Sequence, residues 1–320
     1  MPDSESSNGM RVALIIIFNH RFDSNIAILA EIYGKRFSQI YFLMPFYDGD
    51  RKDVIPVYYN SRYFQSAISQ SYPFIRHTEV DHYLYLADDC ILNPEINEQN
   101  YMEYFNLDKE TSFIPQLTQF HETREFWNRT HEAYEFRVDP PGLQIASELP
   151  ELNVAIDRMR RFNLEMKALS YSQIWGPLSV SLNTFSSLRS AYAAGLRCAR
   201  RVVHFITART YHLSYPLVGS YSDLFIISKR SFYLFQRYCG VFAAAGLFAE
   251  IAIPTAMCLT SAKIVEEKNL QLQGKALWTS DDFVTIKLEQ YESSLSRLIE
   301  RFPRLLYLHP IKLSKWKLEC

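Results

Sequence analysis

The 320-residue sequence has almost no net charge, since 34 Lys and Arg oppose 35 Asp and Glu. Without a basic excess, nothing argues for nucleic acid as a partner. Cysteine is sparse: Cys90, Cys198, Cys239, Cys258 and Cys320 are odd in number and contain no C-x-x-C pair. They read as buried thiols in a reducing, cytoplasmic compartment rather than as a disulfide framework or a zinc site. The polar opening MPDSESSNGM lacks a signal peptide's basic start and apolar core, so residues 1–9 are expected to form a disordered tail. Uninterrupted apolar spans are missing too. The segment nearest to membrane-span length, 241–262 (VFAAAGLFAEIAIPTAMCLTSA), is broken by Glu250 and Pro254. A charge at a helix centre is costly in lipid, so this reads as a buried helix with a functional acid. There is no internal repeat and no low-complexity tract.

What is present is a large core and many aromatics. The chain is 48% hydrophobic, with 21 Tyr, 22 Phe and 4 Trp, enough for one large domain or two joined lobes with a deep, stacking-capable cleft. Arg11–Phe18 (RVALIIIF) is a continuous β-branched run, the pattern of a strand buried on both faces. Asp23 or Ser24 is placed to cap a helix that runs to about Tyr33, with Gly34 at its C-cap. Ser38–Met44 and VIPVYY follow as strands, Ser61–His77 as a helix and HYLYLADD as a strand. This order predicts an α/β sheet with right-handed crossovers and ligands at the strands' carboxyl ends. Further on, DPPG at Asp139–Gly142 is a turn and Glu148–Leu169 reads as a helix. Ser181–Thr210 is a basic helix, GSYSDLFIIS a strand, and Thr279–Phe302 a helix capped by Ser280. Asp281 and Asp282 suit the first turn of that last helix, which makes this acid pair structural.

The stretch His82–Pro94 (HYLYLADDCILNP) carries the chemical question. An apolar strand ends on Asp88 and Asp89, and pairing two acids costs repulsion that a bound cation would remove. A solvated strand end that starts a turn is the plainer explanation. Glu250 is the sole charged residue between Arg237 and Lys263; apolar surroundings would raise its pKa toward the range of a general base. A buried glutamate tied to a helix N-terminus or an arginine would look the same. Asp223 in GSYSDLF is either a pocket acid or a turn acid. The arginines Arg189, Arg197, Arg200, Arg201 and Arg209 fit a solvated helix face or an anionic lipid surface.

YLYLADDCILNP resembles the metal-binding strand end of nucleotide-sugar-dependent glycosyltransferases with the GT-A fold. The resemblance is best over Arg11–Pro94. It implies a Rossmann-related mixed sheet flanked by helices, with a helix-rich acceptor side. Residues 10–135 would form the nucleotide-sugar half, and residues 136–320 the acceptor-binding half of the same domain. By that resemblance Asp89 binds Mn²⁺ or Mg²⁺ bridging the donor diphosphate, Asp88 lies beside it, and Ala87 replaces the first acid of the pattern. His309 in LYLHPIKLSKW matches a closing metal ligand, and Lys312 a group on the diphosphate. The loop FNHRF offers Phe18, Asn19 and His20 to the nucleotide. Glu250 resembles the base of an inverting enzyme, and Asp223 would line the acceptor or donor sugar pocket. The expected donor is a UDP-sugar, and the acceptor a glycan or glycolipid near a membrane. A non-catalytic carbohydrate- or membrane-surface-binding protein stays open. A sugar-phosphate nucleotidyltransferase fits less well, because FNHRFDSNIAI lacks a glycine-rich phosphate loop.

Overall fold

The computed structural model describes residues 12–122, 131–170, 210–279 and 288–318, with scattered positions between 195 and 207 and residues 282 and 286. The five arginines between 189 and 209 lie outside the described residues, as do Ser280 and Asp281.

The chain opens with β1 (Val12–Ile17), α1 (Asp23–Gly34), β2 (Gln39–Pro45), β3 (Val54–Val57), α2 (Phe64–Ile75) and β4 (His82–Ala87). After β5 (Ile91–Leu92) and α3 (Tyr101–Tyr104) come β6 (Thr111–Ile114), α4 (His131–Glu135), α5 (Leu152–Arg160), β7 (Leu169–Ser170) and β8 (Thr210–Tyr211). The last part holds β9 (Leu224–Ser228), α6 (Lys229–Ala244), α7 (Ala249–Thr260), β10 (Lys263–Glu266), β11 (Lys275–Ala276), α8 (Leu295–Glu300) and β12 (Tyr307–His309). Seven strands build one mixed sheet in the order β10-β6-β9-β4-β1-β2-β3, and β11-β12-β5 form a small second sheet.

β1 is buried at every residue, as its unbroken apolar run requires. It pairs in parallel with β2 on one side and with β4 on the other. The chain therefore leaves β1 in one direction, returns, and continues on the other side. Pro56 is tolerated in β3 because that strand is the sheet's edge. One apolar cluster lies between the sheet and α2, α6 and α7; the other lies between the sheet, α1 and the C-terminal segment. Cys90, Cys239 and Cys258 are buried free thiols, as expected.

Several expected elements are redrawn. Asp23 and Ser24 sit inside α1, which has Phe22 at its N-cap and no side-chain cap; Asp23 instead pairs with Arg21 at 2.9 Å. Gly34 is the last helical residue rather than the cap. The helix expected over 148–169 is confined to α5, and Asn163 has a left-handed φ of +58°. The 241–262 stretch is not one helix: the chain turns at Gly246 (φ +70°) between α6 and α7. Among the described residues, no helix is long and apolar enough to cross a membrane. Nor is 279–302 one helix, because Glu292 and Ser293 have left-handed φ values of +50° and +57°. Asp282 accepts hydrogen bonds from the backbone of Trp278 and Thr279 and pairs with Lys275, the structural role expected of it.

Candidate active site at the sheet's switch point

The reversal of direction at β1 opens a crevice beyond the carboxyl ends of β1 and β4, the place where ligands bind in open α/β sheets. Asp88 is the first residue past β4, and the sheet ladder still holds it there: its N–H donates to the carbonyl of Ile17 (3.0 Å). Its carboxylate crosses the crevice and accepts from the backbone N–H of Asn19 (3.2 Å). The Cys90 N–H then donates to the Ala87 carbonyl, turning the chain away into β5. Asp88 is thus no solvated strand end; it is 5% exposed. Burial, and then repulsion from Asp89, pushes its carboxyl up to about 7.

Two distant segments are brought to the same corner by strand register. β5 pairs antiparallel with β12, Ile91 opposite Leu308, so His309 arrives beside the acid pair. Its Nε2 lies 3.2 Å from Oδ1 of Asp89, and the Ile311 N–H donates to the Asp89 carbonyl (2.6 Å). β9 runs antiparallel to β4, Leu224 opposite Leu86. The residue entering β9 therefore sits at the exit of β4, where the Ala87 N–H donates to the Asp223 carbonyl (2.8 Å). Asp223 Oδ1 is 3.5 Å from the same His309 nitrogen. Burial works against a charged His309. The surrounding carboxylates Asp89, Asp223 and Asp88 outweigh it, and the imidazole's pKa is raised above its ordinary value. Burial raises the Asp223 carboxyl against the pull of His309 and with the push of Asp89.

Glu250 stands in the first turn of α7, where the helix dipole favours a carboxylate. The segment leading into β9 is fastened to this helix. The Ser220 N–H donates to the Glu250 carbonyl (2.9 Å) and the Val218 N–H to Oγ1 of Thr255 (3.1 Å). On the other side, Gln65 Nε2 donates to the Leu247 carbonyl (2.6 Å), which brings the start of α2 against the turn before α7. The result is an open cleft whose wall includes Asn19, Arg62, Ser222, Asp223 and Glu250. A second cavity lies toward the small sheet and is lined by Asp223, His309, Gln116, Glu267 and Trp278 among others. Asp223 belongs to both walls.

The remaining candidates fall less centrally. Phe18 is 1% exposed and packs edge-on against Phe42, so its ring is a core group rather than a stacking surface. Asn19 and the exposed His20 carry the loop instead. Around that loop, Phe46 and Tyr58, at the ends of β2 and β3, are 61% and 62% exposed and pair edge-to-face. Lys312 is exposed and follows the Ile311 that binds Asp89. Glu267 and Trp278 were missed in the sequence, although KIVEE repeats the signal of a strand ending on two acids.

Among the described residues, no group of three or more His, Cys, Asp or Glu side chains is arranged as a metal centre. The donor set itself suits a hard cation, with carboxylate oxygens and an imidazole nitrogen. Two ligand atoms at right angles on such an ion, each about 2.1 Å away, lie about 3.0 Å apart. The 3.2 Å separation between His309 Nε2 and Asp89 Oδ1 is near that spacing, and the 3.5 Å separation from Asp223 is wider. No protein-family model matches this chain, and no curated protein matches it significantly.

Proposed function

We propose that the protein is a glycosyltransferase that moves a sugar from a nucleotide sugar, with a UDP-sugar as donor, to an acceptor hydroxyl. The observation that carries this reading is the convergence of Asp88, Asp89, Asp223 and His309 at the switch point, where two cavities meet at one carboxylate. Two adjoining cavities suit a reaction that joins two substrates.

In this reading the nucleotide lies over the loop after β1. Asp88 holds the Asn19 backbone, and the exposed aromatics at the ends of β2 and β3 offer stacking surface. Mn²⁺ or Mg²⁺ held by Asp89 and His309, with Asp88 beside it, would supply positive charge to the donor diphosphate. Lys312 adds a cation for the departing nucleoside diphosphate. Glu250 accepts the proton of the acceptor hydroxyl as that oxygen bonds the anomeric carbon. The bond from that carbon to the diphosphate oxygen breaks, and its electron pair leaves with the diphosphate. A single displacement inverts the anomeric centre. The setting we propose is cytoplasmic, with glycan or glycolipid acceptors.

A thermal-shift screen of nucleotide sugars, with and without Mn²⁺, tests donor and metal together. Saturation at ~100 times Kd stabilises by about 2.7 kcal/mol, or roughly 5 °C in a chain of this size. No shift with any nucleotide sugar at millimolar concentration would overturn the reading.

A further inference from the structure

The cavity between the large and small sheets has an unusual charge pattern for a ligand site. Its wall holds two carboxylates, Asp223 and Glu267, and among the described residues that line it there is no lysine or arginine. His309, its one basic group, is within 3.2 and 3.5 Å of Asp89 and Asp223, and a cation held by Asp89 and His309 in the proposed function would be matched by Asp89 and the donor diphosphate. Lys275 sits beside the wall in sequence but is tied to Asp282 at 2.6 Å. The other polar groups are the Gln116 amide and the hydroxyls of Tyr221 and Tyr307. Trp278, 59% exposed, presents its indole there, edge-to-face with His309.

Glu267 is held rigidly. It follows β10, and its own N–H donates to the Pro115 carbonyl (3.1 Å). Its Oε1 accepts from the Gly274 N–H (2.8 Å), and burial raises the carboxyl against the pull of that bond and of the nearby Tyr307 hydroxyl. A carboxylate fixed this way accepts hydrogen bonds from ligand hydroxyls and repels a ligand anion. An indole face covers the C–H face of a hydroxylated ring.

We infer that this cavity takes an uncharged hydroxylated ring, a hexosyl group, and rejects anionic sugars, with Glu267 as the residue that sets the choice. Naming that ring as the transferred sugar rests on the function proposed above; the charge selection rests on the cavity alone.

Calorimetric titration of the full chain with UDP, UDP-glucose and UDP-glucuronate in Mn²⁺ tests the inference. A second anion beside two carboxylates weakens binding by at least about tenfold at the effective permittivity of a half-buried site. UDP-glucuronate is therefore expected to bind at least about tenfold more weakly than UDP-glucose. Glu267→Gln keeps an acceptor for Gly274, and should narrow the gap to about threefold without changing UDP affinity. Equal or tighter UDP-glucuronate binding overturns the inference, and so does a gap that survives Glu267→Gln. Failure of all three nucleotides to bind overturns the proposed function instead. The cavity is then judged by indole fluorescence with methyl glucoside and with glucuronate, and Trp278→Phe assigns the signal. A response to the glucoside alone supports the inference; a response to glucuronate, or to neither sugar, overturns it.

Discussion

Asp88→Asn separates function from stability at the candidate site. The wild-type carboxyl is buried against Asp89, and its pKa rises from 3.8 to about 7. That rise corresponds to about 4 kcal/mol of preference for the protonated form. The sign follows from linkage. Because the folded-state pKa is raised, this stability is fully present below pH 3.8, is lost as pH rises through about 7, and is absent above. The asparagine cannot ionise, and its Oδ1 still accepts from Asn19. Its new amide N–H groups cost about 1–3 kcal/mol if they find no partner, at every pH alike. The variant's advantage over wild type should therefore grow by about 4 kcal/mol between pH 4 and pH 8. Urea unfolding in EDTA at half-unit pH steps measures this directly, and chelation removes any stabilisation by bound metal. A difference that stays flat across that range would refute the argument that burial strains Asp88. A steep difference would mark Asp88 as a group kept at a cost in stability, the pattern expected of a functional site.

Other outcomes follow from the same geometry. Asp89→Ala should abolish metal-dependent donor binding in calorimetry, and unchanged binding would remove Asp89 from the metal role. Glu250→Gln should lower kcat by about 10²–10⁴ while leaving donor affinity in place. NMR of the product should show an inverted anomeric centre, since retention would rule out Glu250 as a direct base. A Cβ on Gly274 would lie 2.0 Å from the Tyr307 ring, so Gly274→Ala should destabilise by about 1–3 kcal/mol in chemical unfolding. It should also disturb the strand that carries His309; a silent substitution would mean the two strands separate easily.

Much of the first ninety residues could be read from the sequence because periodicity there reports burial directly. VALIII is apolar at every position and HYLYLA at every position but His82, and both are central strands. An apolar strand that stops on two acids at the carboxyl edge of an α/β sheet already marked Asp88 and Asp89. The cysteines were legible for the same reason, as small apolar groups. Helix ends were not. Backbone reversals at Gly246, Glu292 and Ser293 cut the expected helices, and such reversals depend on what each side packs against.

The site itself needed the tertiary structure. His309 meets Asp89 only because β5 and β12 pair across more than two hundred residues of chain. Asp223 reaches the carboxyl edge only because β9 runs against its neighbours, which puts a strand's first residue where the others place their last. Phe18 looked like a stacking aromatic, yet side-chain alternation along β1 turns its ring into the core. Glu267 carried the same two-acid signal as Asp88 and Asp89 but ended a weakly apolar edge strand, so its pattern did not stand out. The sequence determined which strands are buried and where acids interrupt them. Register and strand direction decided which of those acids share a cavity, because both are set by pairings between segments that no local pattern records.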